Sequence, residues 1–204
     1  MDDGGIVLYG ASGHGLVVAD ILELTEKGSL CFWDDKGELP EFRYPVTLPN
    51  REERNARCII TVGNNRTRER LAKQIPLRFI TALHPAAVIA RSVTIGDGTV
   101  VMAGAVLNPG VRIGEHCIVN TSAAVDHECT LENFVHISPG VHLAGEVYVG
   151  EGAHIGIGSC VVQGITIGKW ATVGAGAVVI RDVPDYAVVA GVPADIIKYH
   201  PSPA

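Results

Sequence analysis

The chain has 204 residues, 47% of them hydrophobic and 19% charged, with a formal net charge of −6. That balance describes a globular protein and excludes a disordered one, and its acidic surplus argues against a nucleic-acid partner, since no basic cluster exceeds the short Arg66, Arg68, Arg70 run. No 18-residue apolar stretch suggests a membrane-spanning helix, and Met1-Asp2-Asp3 does not open like a secretory signal, so the expected compartment is the cytoplasm.

In chain order, Ile6 to Gly10 read as a buried strand, followed by the turn Gly10-Ala-Ser-Gly-His-Gly15 and an amphipathic stretch from Leu16 to about Lys27. Leu30 to Trp33 is a second strand ending in Asp34-Asp35. Cys58 to Val62 is a third, closed by Gly63-Asn64-Asn65. Arg66 to Gln74 reads as a helix, and Phe79 to Leu83 as a fourth short strand. Strands alternating with helices imply a parallel sheet, and about 85 residues suffice for half of a doubly wound domain. The first turn reads G-x-x-G-x-G rather than G-x-G-x-x-G. Its glycines still allow close backbone approach, and the helix N-terminus behind it offers free N–H donors to a phosphate. Asp34 and Asp35, at the same sheet edge, suit sugar or base donors. The competing reading is a tight turn with Ser12 as N-cap and two solvated carboxylates.

From Val93 to Asp182 the chain repeats every six residues. The third place of each hexad, from Ile95 to Val179, is aliphatic in all fifteen hexads. The first place is small or β-branched, and Gly often follows the aliphatic. A period of six fits neither a helix nor a hairpin meander. It fits a three-sided prism, three hexads per coil, with the aliphatics stacked inside. Five such coils stand roughly 24 Å tall at one strand spacing per rung. Residues 1–85 and 86–204 are therefore the expected domains: a half-Rossmann-like α/β domain, then a parallel β-helix. Of the five cysteines none forms a C-x-x-C pair, and Cys117 and Cys129 occupy the small first place, so structural thiols are expected.

Four histidines of the prism bear on chemistry. His127 takes the fifth place of its hexad, a corner, between Asp126 and Glu128. Its stacked neighbours eighteen residues away are Pro109 and Gly145, so the imidazole is not enclosed by a ladder. A carboxylate against one ring nitrogen would fix the tautomer and raise its basicity, an arrangement suited to a general base. A solvated corner histidine is the alternative. His136, His142 and His154 take the outward second place, with His136 and His154 one rung apart on one face. They could line a groove or serve a zinc site, although the acids expected beside such ligands are not evident and no metal is expected.

The set Gly10-Ala-Ser-Gly-His-Gly15, Trp33-Asp-Asp35, Gly63-Asn-Asn65, Asn120-Thr-Ser, Asp126-His-Glu-Cys129, His136-Ile-Ser-Pro-Gly140 and Gly191-Val-Pro-Ala194 spans nearly the whole chain. In it the chain resembles the bacterial nucleotide-sugar acetyltransferases of the PglD/NeuD type, and within them the branch that N-acetylates a UDP-linked 4-amino-4,6-dideoxy sugar. The resemblance implies a left-handed prism, a homotrimer and acetyl-CoA as co-substrate. It implies that Ser12, Gly13, His14, Asp34, Asp35 and Gly63 meet the UDP-amino sugar, with Asn120 near the reacting centre. It implies His127 as base with Glu128 behind it, and contacts from His136, Ile157 and Ala175 to acetyl-CoA. One departure is Asp195, which stands after Gly-Val-Pro-Ala where many relatives carry Lys or Arg. The alternatives are O-acetylation of a sialic acid or related sugar, a non-catalytic sugar-nucleotide-binding protein, and a zinc-dependent prism enzyme of the carbonic-anhydrase kind.

Overall fold

The computed structural model describes residues 5–26, 28–37, 39, 41–50 and 52–201. Its N-terminal part is a parallel sheet of β1 (Ile6–Tyr9), β2 (Leu30–Trp33), β3 (Val46–Thr47), β4 (Arg57–Ile60) and β5 (Arg78–Phe79), in the order β3-β2-β1-β4-β5. β1 alternates its allegiance. Ile6 and Leu8 join the core formed with helix α1 (Gly13–Thr25), while Val7 and Tyr9 join that of helix α2 (Asn65–Gln74). A strand covered on both sides has no polar face, which is why Ile-Val-Leu-Tyr carries none.

α1 begins three residues earlier than the amphipathic pattern suggests, inside the glycine turn. Ser12 caps it by accepting the Gly15 N–H at 3.4 Å. Gly15 permits this: a Cβ there would lie 2.6 Å from the Gly10 carbonyl oxygen and 2.8 Å from the Phe32 ring. β3 had no recognisable strand signal, being two residues long. The expected strand from Phe79 to Leu83 is two pieces. Arg78–Phe79 closes the sheet, whereas Ala82–Leu83 pairs with Val100–Val101 and is already the first rung of the prism. A continuous apolar run hid the chain's passage from one body to the other.

The prism is a parallel β-helix with an 18-residue coil. The first face stacks Ala82, Val100, Ile118, His136, His154 and Thr172 at the outward place. The second stacks Val88, Val106, Ala124, His142, Cys160 and Val178. The third stacks Thr94, Arg112, Thr130, Tyr148 and Thr166. Inside, the third-place aliphatics from Val101 to Val179 are buried with the first-place Ala105, Cys117, Ala123, Cys129 and Ala153 in one continuous core. Small first-place residues let the corners close while large third-place ones fill the axis. Ala187–Ala190 extends the first face, and Asp195–Tyr199 folds back antiparallel on it.

The two bodies meet on the first face. Outward Val100 and Ile118, which would face water on a free prism, are buried with Ala82 and Met102 against α1. Burying each such side chain is worth about 1.5–3 kcal/mol, so the lower rungs hold the sheet domain in place. On the same face the next rungs carry His136, His154 and Thr172, and there the apolar seam gives way to a cleft.

Candidate functional site

The cleft lies where the C-terminal edge of the sheet meets the upper rungs of the first face. Its volume is about 590 Å³, and Gly63, Asn64 and Asn65, His136, His154 and Trp170 are among its walls. α2 forms one side because Asn64 caps it, accepting the Thr67 N–H at 2.9 Å. Asn65 then reaches across, its Nδ2 donating to the carbonyls of Gly152 (3.0 Å) and Ala153 (3.1 Å). One turn on, Arg68 is 1% exposed. Its guanidinium donates to Val62 O (3.0 Å) and Gly63 O (3.2 Å) on its own side, to His116 O (2.7 Å) and Phe134 O (2.8 Å) on the prism, and to Asn65 Oδ1 (2.9 Å). At the rim, the Arg66 guanidinium stacks 4.4 Å from the Trp170 ring centre, and His200 Nε2 pairs with Thr172 Oγ1 at 2.8 Å.

The imidazoles of this region share one electrostatic bias. His136 and His154 stack with ring centres 4.8 Å apart and planes 8° from parallel. His136 Nε2 meets Asn120 Nδ2 at 3.3 Å, so that nitrogen is the acceptor, and Ser138 Oγ lies 2.9 Å from His154 Nε2. Burial, then His154, Arg68 and His14, push His136 down to about 3, against a weaker opposing pull from the Gly63 backbone. Burial and Arg68 push His14 down to about 4, and the same two causes lower His154, which is more open to water. His116, stacked on Phe134 and edge-on to Phe79, is also pushed down to about 4, by burial and then Arg68, with Asp97 opposing. Desolvation and a neighbouring cation both penalise the imidazolium, so these rings are neutral near pH 7.

The glycine turn and the paired acids stand at the sheet edge. Ser12 and Gly13 are exposed, and His14 turns inward toward His136. Asp34 is occupied with the chain itself: Oδ2 accepts the Ala11 N–H and Oδ1 the Lys36 N–H, both at 3.0 Å. Asp35 Oδ1 accepts the Tyr9 hydroxyl at 2.7 Å. Asp34 thus fixes the glycine turn, and Asp35 is the exposed carboxylate of the pair.

His127 stands elsewhere, on the corner between the second and third faces, exposed. Its Nδ1 lies 3.2 Å from Glu128 Oε2, and its backbone N–H donates to Asp126 Oδ1 at 2.7 Å. Asp126 also accepts from Asn108 Nδ2 at 2.8 Å, and these two bonds hold its carboxyl below the usual range, Asn108 having the larger effect. Gly145 sits under the ring, where a Cβ would come within 2.5 Å of Cε1 and Nε2. A groove of about 410 Å³ opens beside this corner, lined in part by Asp126, His142, Cys160 and Gln163. Ile157 and Ala175, one rung apart and exposed, lie on the corner between the first and second faces, as Asn120 does. A single chain therefore gathers His14, Gly63, Asn120 and His136 about the cleft and keeps His127 and Glu128 on another corner. Arg68, and the docking role of Asn65 within the Gly63-Asn64-Asn65 turn, escaped sequence reasoning because a basic run and a polar turn give no sign of a docking partner. Among the described residues no group of three or more His, Cys, Asp or Glu is arranged to hold a metal, and no helix is long and apolar enough to cross a membrane.

Residues 5–75 match the family model of the PglD N-terminal domain, and residues 92–127 that of the bacterial transferase hexapeptide. A UDP-N-acetylbacillosamine N-acetyltransferase of Bacillus subtilis is 41% identical over 110 residues, covering 48% of this chain and 51% of that protein. The match thus spans about half the length of this curated relative. A variant of perosamine N-acetyltransferase from Caulobacter crescentus, in complex with CoA and GDP-perosamine, superposes with a TM-score of 0.91 at 37% identity, covering 96% of this chain and 97% of the other. The acetyltransferase domain of PglB from Neisseria gonorrhoeae, in complex with acetyl coenzyme A, does so with a TM-score of 0.87 at 39% identity, covering 96% and 100%.

Proposed function

The chain belongs to the PglD-type hexapeptide nucleotide-sugar acetyltransferases, and from that premise we propose that it transfers an acetyl group from acetyl-CoA to the amine of a UDP-linked 4-amino-4,6-dideoxy sugar. The observation that carries the reading is His127: an exposed imidazole with a carboxylate on Nδ1, a glycine beneath it and a groove beside it. In the reaction the amine nitrogen attacks the thioester carbonyl, the new C–N bond forms and the C–S bond breaks. His127 takes the proton that the nitrogen sheds as it becomes cationic, and the departing thiolate is protonated in turn. Glu128 holds the ring's other nitrogen and stabilises the imidazolium. A backbone N–H in the groove serves the oxyanion, and holding both substrates in place supplies much of the rate.

Residues 1–85 act in this reading as the nucleotide-sugar unit, with Ser12, Gly13, His14, Asp34, Asp35 and Gly63 at the ligand edge. Residues 86–204 act as the transfer unit, with His136, Ile157 and Ala175 toward acetyl-CoA. Because His127 and the cleft lie on different corners, a homotrimer is needed to bring the base of one chain to the substrate held by the next. The Bacillus subtilis relative acts on a UDP sugar, whereas the Caulobacter crescentus one holds GDP-perosamine. A thiol-release assay with acetyl-CoA and a panel of UDP- and GDP-linked amino sugars decides between them. Turnover with UDP-4-amino sugars is the expected result. Preference for GDP sugars, or acetylation only of hydroxyl acceptors, would replace the substrate, and no thiol release with any member would remove the reading. Light scattering that returned a monomer with full activity would remove the shared site.

A further inference from the structure

Arg68 is a buried cation with no carboxylate bonded to it among the described residues. Its five N–H donors are matched by five oxygens, four of them backbone carbonyls and one the Asn65 side-chain amide. Guanidinium chemistry gives it no acceptor capacity and no accessible neutral form, and although burial pulls it down to about 10 it stays charged in the working range. Carbonyl dipoles satisfy its hydrogen bonds without cancelling its charge. The cleft above it supplies no anion either: its walls are Gly63, Asn64, Asn65, Arg66, His136, Gly152, His154, Trp170, Thr172 and His200, with no Asp or Glu. A chain of net charge −6 has therefore placed an uncompensated positive charge behind one concave surface. A low-dielectric cleft lined by one sign of charge focuses that field on whatever enters it.

We infer that Arg68 is the positioning residue of this cleft, a caged cation that fixes the Gly63-Asn64-Asn65 turn against the prism and biases the cleft toward ligands carrying phosphate. It makes no contact with the ligand. Three of its bonds, to Val62 O, Gly63 O and Asn65 Oδ1, hold the turn and two hold the prism corner, so the same group sets the cleft's shape and its potential. Its charge also faces His14 from α1 and His136 and His154 from the prism, the titratable groups around His136, and favours their neutral forms. The ligand's phosphates then supply the counter-charge the protein withholds. For the identity of that ligand, a nucleoside diphosphate, the inference rests on the proposed function.

The test compares uridine with UDP, and guanosine with GDP, by titration calorimetry on the full-length wild type, Arg68→Gln and Arg68→Lys. A purely structural role weakens nucleoside and diphosphate alike. The inference requires more: in Arg68→Gln the diphosphate-to-nucleoside affinity ratio falls by about tenfold at low salt, and by less at high salt, where the field is screened. In Arg68→Lys, which keeps a charge and loses the cage, both ligands weaken while the ratio stays near that of the wild type. An unchanged ratio in Arg68→Gln overturns the inference. If that variant does not fold, Arg68→Lys decides, since a collapsed ratio with the charge retained also overturns it. Should the wild type bind neither nucleoside nor diphosphate, the nucleotide reading fails separately. Arg68 is then judged by imidazole NMR, where His136 must begin to protonate at higher pH in Arg68→Gln than in wild type, and an unmoved titration in that variant counts against it.

Discussion

Two histidine sites share one prism and have opposite surroundings. His136 and His154 are stacked on the first face under the sheet domain, with a caged arginine behind them and no acid lining the cleft. His127 stands on another corner in the open, with Glu128 on its ring and Asp126 on its backbone. The repeat beneath them is the same, but His136 and His154 take the outward place of a two-residue rung and His127 the corner that follows one. Their surroundings separate them further: a docked domain and a cation in one case, carboxylates and water in the other. The same residue type is thereby made a neutral hydrogen-bonding surface at one place and, in the proposed reaction, the proton acceptor at the other.

The sharpest way to break the contrast is to remove each ring. His127→Ala is expected to lower kcat by about 10²–10⁴-fold with acetyl-CoA binding nearly intact, as for loss of a general base. His136→Ala should instead act chiefly on KM, and steady-state kinetics on both variants checks the difference. Equal losses in kcat would erase the distinction. A subtler break is Gly145→Ala, whose methyl would displace the His127 imidazole. It should cost about 10-fold or more in kcat while the melting temperature stays within a few degrees, because misplacing a reacting group is expensive even when the fold survives. Glu128→Gln keeps the ring in place and removes only the charge behind it. A loss in kcat of about 3- to 10-fold is expected, smaller than that of His127→Ala.

The smallest effect sharpens the other side. His14, His116 and His136 have folded pKa values of about 4, 4 and 3, below the ordinary 6.5. The unfolded chain binds more protons between those limits, so their stabilising contribution is full above about pH 6.5 and is lost as pH falls toward 4. Calorimetric melts should drop by roughly 5–10 °C from pH 7 to pH 5, after discounting for the partial exposure of the rings. His136→Asn should flatten that slope; a slope unchanged by it would remove His136 from the account.

Much of this was legible in the sequence because the prism's rule is local. Each inward aliphatic from Val101 to Val179 recurs at a fixed spacing and is buried where the spacing says. His127's openness followed from Gly145 and Pro109 at the stacked positions. The docking was not legible in the same way. Val100 and Ile118 are apolar at the outward place, but so are Val88, Val106 and Val178, and what covers Val100 and Ile118 is α1, some eighty residues and more away in the chain. Arg68 gave less warning still. Between Arg66 and Arg70 it looks like one more solvated charge, and only the approach of the prism carbonyls makes it the buried member of the three. Ala82–Leu83 was misread with Phe79 because an apolar run shows no seam when both flanking bodies are apolar inside.

The 18-residue coil also makes the molecule a graduated scale. The sheet domain is fastened at the Val100 and Ile118 rungs, and the imidazole pair begins one rung above. Inserting one whole coil between Ile118 and His136 would leave every inward residue in phase and raise the histidines by a single strand spacing, about 4.8 Å, past the anchored turn of Gly63. The depth of the cleft is thus set in discrete increments, independently of the core that supports it, and a family built on this plan can fit acceptors of different length by counting coils.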